Sequence, residues 1–184
     1  DPGLSVFATH RLLHGLDESG QRELRESLMA RFDVNAVDDP SDLVPGHGDG
    51  TVAFGYLDAA HDTPYLLRLR DESALAAALP AASEAYRTLD AAALEALVLR
   101  GPLGMSGDDI AAKRGLSYCS DLAEAVARVE RGDADAAFFL RPTPVEQVRA
   151  VADAGETMPP KSTYFFPKLL TGIVFNPLSE DRAR

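Results

Sequence analysis

Between residues 116 and 166, short apolar runs alternate with helix-period segments, and this constrains the fold of the 184-residue chain more than any other feature. The segment GLSYC at 115–119 has the composition of a strand. In DLAEAVARVERG the residues Leu122, Val126 and Val129 fall on one helical face, and DADAAFFLRP is a strongly apolar strand. Thr143, Pro144 and Glu146 then supply an N-cap, a first-turn proline and an N3 acid to a helix that Gly155 ends. Strand-helix-strand units favour right-handed crossovers and parallel neighbours, so parallel pairing is expected here.

The upstream part reads differently. Residues 4–13 mix β-branched and aromatic types after the turn signal Asp1-Pro2-Gly3 and read as one strand. From residue 17 to 32, Leu24, Leu28 and Phe32 recur every four positions and Glu18 pairs with Arg22 one turn on, which predicts an amphipathic helix. DDPSDLVPGHGDG at 38–50 holds two prolines, three glycines and four aspartates, and reads as a flexible loop without a regular element. TVAFGYLD and TPYLLRLR, joined by a short connector containing His61 and Asp62, predict an antiparallel hairpin.

Helical signals follow. DESALAAALP is halted by Pro80; DAAALEALVLRG takes Asp90 as N-cap and stops at Gly101-Pro102; Ser106 and Asp109 form a capping-box pattern. The tail holds two strand-like runs, STYFF and TGIVF, with Pro167 between them. With no long linker and no further repeat, the expectation is one α+β domain: a mixed sheet with helices, β-α-β units in the C-terminal part and an antiparallel hairpin near the middle.

Composition narrows the functional classes. An apolar share of 46% and a charged share of 26% exclude disorder and collagen-like or disulfide scaffolds. A net charge of −11 opposes binding to phosphate backbones or anionic lipid surfaces, so neither nucleic acid nor membrane is expected as a partner. The single cysteine, Cys119, has no partner for an internal disulfide, and no run of eighteen apolar residues occurs. The expected location is the cytoplasm. The first residues lack an initiator Met and the layout of a signal peptide, so the chain reads as a fragment of a longer protein.

Candidate chemistry is sparse. His10 and His14 are four apart, a ligand spacing on a helix, but the segment reads as a strand and no third ligand follows, so no metal site is expected. His10, flanked by Thr9 and Arg11, reads as a hydrogen-bonding or anion-contacting group at a strand end. The glycines of PGHGDG are followed by a strand and match no phosphate-binding fingerprint; His47 and Asp49 would at most form a weak lid. Cys119 lacks a neighbouring histidine and reads as a buried thiol, and no Gly-x-Ser-x-Gly occurs.

The segment PPKSTYFFPK stands out. The chain has fifteen arginines and only three lysines, two of which, Lys161 and Lys168, lie within eight residues of each other. An ammonium is a compact point charge, unlike a guanidinium, so lysine kept in an arginine-biased chain suggests chemistry. If this segment is extended, Lys161, Thr163 and Phe165 face one way and Ser162, Tyr164 and Phe166 the other. A lysine and a hydroxyl on one face would hold a phosphate or carboxylate; otherwise the lysines are solvated on a protected edge strand.

Two segments, ATHRLLHGL and DAAFFLRPTPVEQVRAVADAGETMPPKSTYFFPKLLTGIVFNPL, together resemble the C-terminal half of the bacterial and archaeal "domain of unknown function 1015" family. The resemblance runs from about residue 1 to residue 178, and PPKSTYFFPKL is its specific part. Members are sometimes labelled ParB-like, because their N-terminal half ends in an Asp-Gly-His-His-Arg-type segment similar to one in ParB-like and free-serine-kinase proteins. That segment does not occur here, so the resemblance carries over no catalytic residue. It does carry over Thr9-His10-Arg11 and Lys161-Ser162-Thr163-Tyr164 with Lys168.

The resemblance implies the C-terminal part of a two-domain, phosphotransferase-like enzyme acting on a nucleotide and a small metabolite. Arg11, Lys161 and Lys168 would contact anions, and Ser162, Thr163 and Tyr164 would donate hydrogen bonds. A small molecule or nucleotide would be the partner, met together with an N-terminal half, and the resemblance implies no particular cofactor. The alternative is a non-enzymatic interaction module, or a homodimer formed through an unpaired strand near Tyr164 or Ile173. ParB-like DNA binding ranks last, because the net charge opposes it.

Overall fold

A computed structural model describes residues 5–46, 50–61 and 63–168. The strands are β1 (Ser5–Phe7), β2 (His10–Leu13), β3 (Phe32–Ala36), β4 (Ala53–Asp58), β5 (Tyr65–Leu69), β6 (Leu116–Cys119), β7 (Ala136–Phe139) and β8 (Tyr164–Phe166). The helices are α1 (Glu18–Arg31), α2 (Ser73–Ala78), α3 (Glu84–Arg87), α4 (Asp90–Leu94), α5 (Gly107–Ala112), α6 (Leu122–Glu130) and α7 (Val145–Asp153). A π-helical turn, Glu95–Leu99, continues α4.

Six strands form one sheet in the order β3-β5-β4-β7-β2-β6, and β1 pairs with β8 in a separate two-stranded ribbon. The α+β class and the antiparallel β4–β5 hairpin, with Phe54 opposite Leu67, agree with the sequence reading. The expected parallel neighbours do not form: every pairing among the described residues is antiparallel. β6-α6-β7 is a split unit whose two strands run the same way with β2 inserted antiparallel between them. All four residues of β2 are buried, and all four of β7, whereas β6 is only partly buried. A strand covered on both faces keeps its backbone groups bonded only with a neighbour on each side, so β2 and β7 are interior and β6 is an edge.

The two-residue period of β7 builds two cores. Ala136 and Phe138 face the layer of α1 and the π-helical turn, where Phe138 meets Phe54 at 5.7 Å and Tyr56 at 5.1 Å between ring centroids. Ala137 and Phe139 face α6, meeting Ala125, Val126 and Val129. Leu12, Leu43 and Leu57 complete this second core.

Leu43 belongs to the segment read as lacking regular structure. Pro40–Leu43 in fact form a 3-10 turn, with the Asp39 carboxylate accepting from the Ser41 amide at 2.8 Å. The turn crosses β4 at Gly55, where a Cβ would run into the Leu43 carbonyl. Glycine at 55 is what lets the two backbones touch. His47 and Asp49 lie outside the described residues, as does TGIVF.

Several helix ends are capped by side chains, that of α5 as the sequence predicts. Asp17 accepts from the Gly20 amide, Asp121 accepts from the Glu124 amide, and Ser106 with Asp109 forms the full capping box. Two assigned caps are corrected. Asp90 is the first residue of α4 and not its cap; its carboxylate accepts from the Ala53 amide and from the Arg141 guanidinium at 2.6 and 2.9 Å. Thr143 does not cap α7; its hydroxyl donates to the Ser162 carbonyl at 3.0 Å. The short helix α3 is capped by Ser83, whose hydroxyl accepts from the Tyr86 amide. The run 4–13 is two strands in two sheets, broken at Ala8-Thr9.

Candidate functional site

The break at Ala8-Thr9 brings the ribbon beside the edge strand β6. Thr9, the C-terminal end of α5, β6 and the segment 161–168 enclose a cleft of about 460 Å³. Lys113 enters from the end of α5; Ser117, Tyr118 and Cys119 from β6, with Ser120 after it; Lys161, Thr163, Tyr164 and Lys168 from the last segment. All three lysines of the chain therefore line one cleft, and none of the described lining residues is acidic. In a protein of net charge −11 this is a local reversal of the field, suited to a small anion.

Backbone geometry singles out the same residues. Among the described residues, Lys113 and Lys161 are the two non-glycine positions with positive φ, at 57° and 59°. The left-handed region costs an L-residue roughly 1 kcal/mol, and such strain tends to collect at functional sites. Lys113 is the left-handed cap of α5, where glycine usually stands. Lys161 sits in the turn closed by Ser162, whose amide and hydroxyl donate to the Pro159 carbonyl at 3.2 and 2.7 Å.

This turn changes the facing read from the sequence. The strand begins at Tyr164, so Lys161 and Ser162 are not in extended alternation. Ser162 is buried, bonded to Pro159 and Thr143, and does not line the cleft. Phe165 turns inward while Tyr164 and Phe166 are exposed beside Phe7. The Lys168 ammonium lies 3.4 Å from the centre of the Tyr164 ring and donates to the Phe165 carbonyl at 3.2 Å.

Of the other candidates, Thr9 lines the cleft, and its carbonyl accepts from the Arg11 guanidinium. Arg11 is buried on the sheet, 5.4 Å from the Tyr118 ring; burial brings its pKa to about 10, so it is charged at neutral pH. His10 is 2% exposed and faces the other way, 5.3 Å from the Phe139 ring, with Nδ1 accepting from the Leu140 amide at 3.3 Å. Burial, and then the charge of Arg11, push its pKa down to about 4, so the ring is neutral. His14 bonds the cleft residue Ser117 at 2.7 Å.

The structure thus unites Thr9, Lys161, Thr163, Tyr164 and Lys168, and leaves His10, Arg11 and Ser162 behind the cleft wall. Sequence reasoning missed Lys113, Ser117, Tyr118, Cys119 and Ser120. The signal that could have found Lys113 was lysine rarity itself. Cys119, read as a buried thiol, is partly exposed in the cleft, its Sγ donating to the Asp121 carbonyl at 3.3 Å.

Two other polar clusters stand apart. Arg141 lines a recess of about 200 Å³ but is engaged by Asp90 and by the Gly46 and Thr51 carbonyls. Asp58, 1% exposed, accepts from the His61 amide at 2.9 Å and contacts the His61 ring at 3.0 Å; Arg25 lies 3.8 Å away. The nearby Tyr56 hydroxyl has no hydrogen-bond partner among the described residues. Among the described residues, no three His, Cys, Asp or Glu side chains group to hold a metal ion, and no helix is long and apolar enough to cross a membrane.

No family model and no curated protein matches the chain. Among solved structures, a conserved hypothetical protein from Pyrococcus furiosus matches at 17% identity and a TM-score of 0.49, over 90% of this chain and 57% of that one. A free serine kinase in complex with AMP matches at 13% identity and a TM-score of 0.47, over 89% and 54%. A mutant free serine kinase in complex with ADP matches at 13% identity and a TM-score of 0.46, over the same shares. The chain spans little more than half the length of these structures.

Proposed function

We propose that the three-lysine cleft holds the phosphate of a small molecule, and that the chain is the C-terminal half of a phosphotransferase-like enzyme of the "domain of unknown function 1015" family. The observation that carries the reading is that Lys113, Lys161 and Lys168 line one cleft together with Thr9, Ser117 and Thr163, and that its described walls hold no acid. Ammonium groups give phosphate oxygens charge-assisted hydrogen bonds, and hydroxyls add neutral donors. The volume suits a metabolite or a nucleotide. The acidic remainder of the surface repels a polyanion, which favours a small ligand over nucleic acid.

The cleft neutralises and positions charge, which is most of the work in phosphoryl transfer. Its described walls carry no carboxylate or imidazole, and His10 is turned away behind them. In this reading the group that takes the acceptor's proton comes from the N-terminal half.

Thermal melting in inorganic pyrophosphate tests the proposal. At a hundred times the dissociation constant a ligand adds about 2.7 kcal/mol to the native state. Wild type should be stabilised, and Lys161→Ala should not be. An equal shift in both, or none in either, would remove the cleft as the site. A screen of the full-length protein for phosphoryl transfer from labelled ATP to a metabolite pool tests the reaction itself.

A second reading rests on the ribbon, whose Phe7, Tyr164 and Phe166 rings share one exposed face at 45, 39 and 54%. A homodimer through this face would appear in light scattering and would revert to monomer in Tyr164→Asp.

A further inference from the structure

We propose that Tyr164 is the seat for a planar heterocycle on the ligand, so that the cleft takes a nucleotide, with Lys168 exchanging the tyrosine ring for a phosphate oxygen on binding. The inference rests on the anion-binding reading above and adds to it the class of ligand and the residue that selects it.

The Lys168 ammonium, 3.4 Å from the ring centre, stands over the face of Tyr164 and not at its edge. The face that takes a cation this way is the electron-rich one, which equally takes a flat heterocycle. The ring is held from the ribbon side: Phe7 packs against it at 6.2 Å and 53°, and Phe166 in turn packs on Phe7 at 6.0 Å. A ring fixed in this way loses little freedom when a second ring stacks on it. Tyr164 and Lys168 line the same cleft as Lys113 and Lys161, so a ligand whose phosphate meets the lysines has its remaining atoms beside the Tyr164 face.

The exchange is favourable in direction. Lys168 leaves a neutral carbonyl and an exposed ring face, each a weak partner for an ammonium, and gains an ionised phosphate oxygen, a charge-assisted one. A cationic guest for the ring face is disfavoured, because three ammoniums already line the cleft. What suits both the face and the charge is an uncharged flat ring carried on a phosphate.

AMP and ribose 5-phosphate isolate the ring's contribution, because they share the sugar phosphate and differ in the base. Titration calorimetry on the whole chain should give AMP an advantage of roughly 5- to 150-fold, the range for stacking one base on an aromatic side chain. Tyr164→Phe keeps the ring and should keep the advantage. Tyr164→Leu should bring the ratio near one by weakening AMP, and Lys168→Ala should weaken both ligands. A wild-type ratio near one, or a ratio that survives Tyr164→Leu, overturns the assignment of Tyr164 while leaving the anion site standing. Binding of neither ligand to wild type removes the anion site, and this inference with it.

Discussion

Acidification should unfold this protein through His10. In the unfolded chain the imidazole titrates near 6.5; in the fold, burial and then the charge of Arg11 bring it down to about 4. Above pH 6.5 the ring is neutral in both states and contributes no pH dependence. Below it, the unfolded chain binds a proton that the folded ring refuses, so stability is lost as pH falls from 6.5 towards 4. The shift corresponds to about 3 kcal/mol in full, with roughly 2 kcal/mol already lost at pH 5.

Urea unfolding at pH 7.5 and pH 5 measures this when wild type is compared with His10→Asn. Asparagine can place an acceptor near the Leu140 amide but does not titrate. The smaller side chain lowers stability by a constant amount, and the other titrating groups are common to both proteins. Wild type should therefore lose about 2 kcal/mol more than the variant between the two pH values. Parallel losses, within about 0.5 kcal/mol, would show that His10 is not held neutral against Leu140.

Three further outcomes follow from packing. Gly55→Ala drives a methyl into the Leu43 carbonyl, backbone against backbone, and should cost upwards of 3 kcal/mol in urea unfolding; a cost below about 1 kcal/mol would mean that the 3-10 turn does not rest on β4. Asp90→Ala removes a carboxylate partner of the largely buried Arg141 and the acceptor of the Ala53 amide, and should cost about 3 kcal/mol, against well under 1 kcal/mol if the pair were solvated. Tyr56→Phe removes a buried hydroxyl that has no partner among the described residues, so the melting temperature should hold or rise; a loss beyond about 1.5 kcal/mol would show the hydroxyl to be bonded.

Elements specified by local pattern were legible in the sequence: α1 from its four-residue apolar spacing, the β4–β5 hairpin from its paired runs, α6 from Leu122, Val126 and Val129, and the α5 cap from Ser106 and Asp109. Sheet order was not, because distant burial decides it. His10–Leu13 hold two polar residues in four, yet all four are buried, and nothing local marks β2 as the strand that splits β6 from β7. Asp90 and Thr143 have the side chains of caps, but Arg141 and Ser162, far along the chain, claim them instead.

The cleft was half legible for the same reason. The residues of one segment, Lys161, Thr163, Tyr164 and Lys168, could be read together, and Thr9 through its motif. Ser117, Tyr118 and Cys119 arrive only through the register of β6 on β2, which sets Tyr118 opposite Arg11 and Cys119 opposite His10. Lys161 hid a left-handed turn, because sequence rules reserve that conformation for glycine and asparagine.

The central claim is that an anion binds where the three lysines meet. A titration of the isotope-labelled chain with inorganic pyrophosphate, followed by the backbone amide shifts, locates the site residue by residue. The account predicts saturable shifts concentrated at Lys113, at Ser117 to Ser120 and at Lys161 and Thr163, with the amides around Arg141 and Gln147 unmoved. Shifts centred on the Arg141 recess, or none at millimolar pyrophosphate, would contradict it.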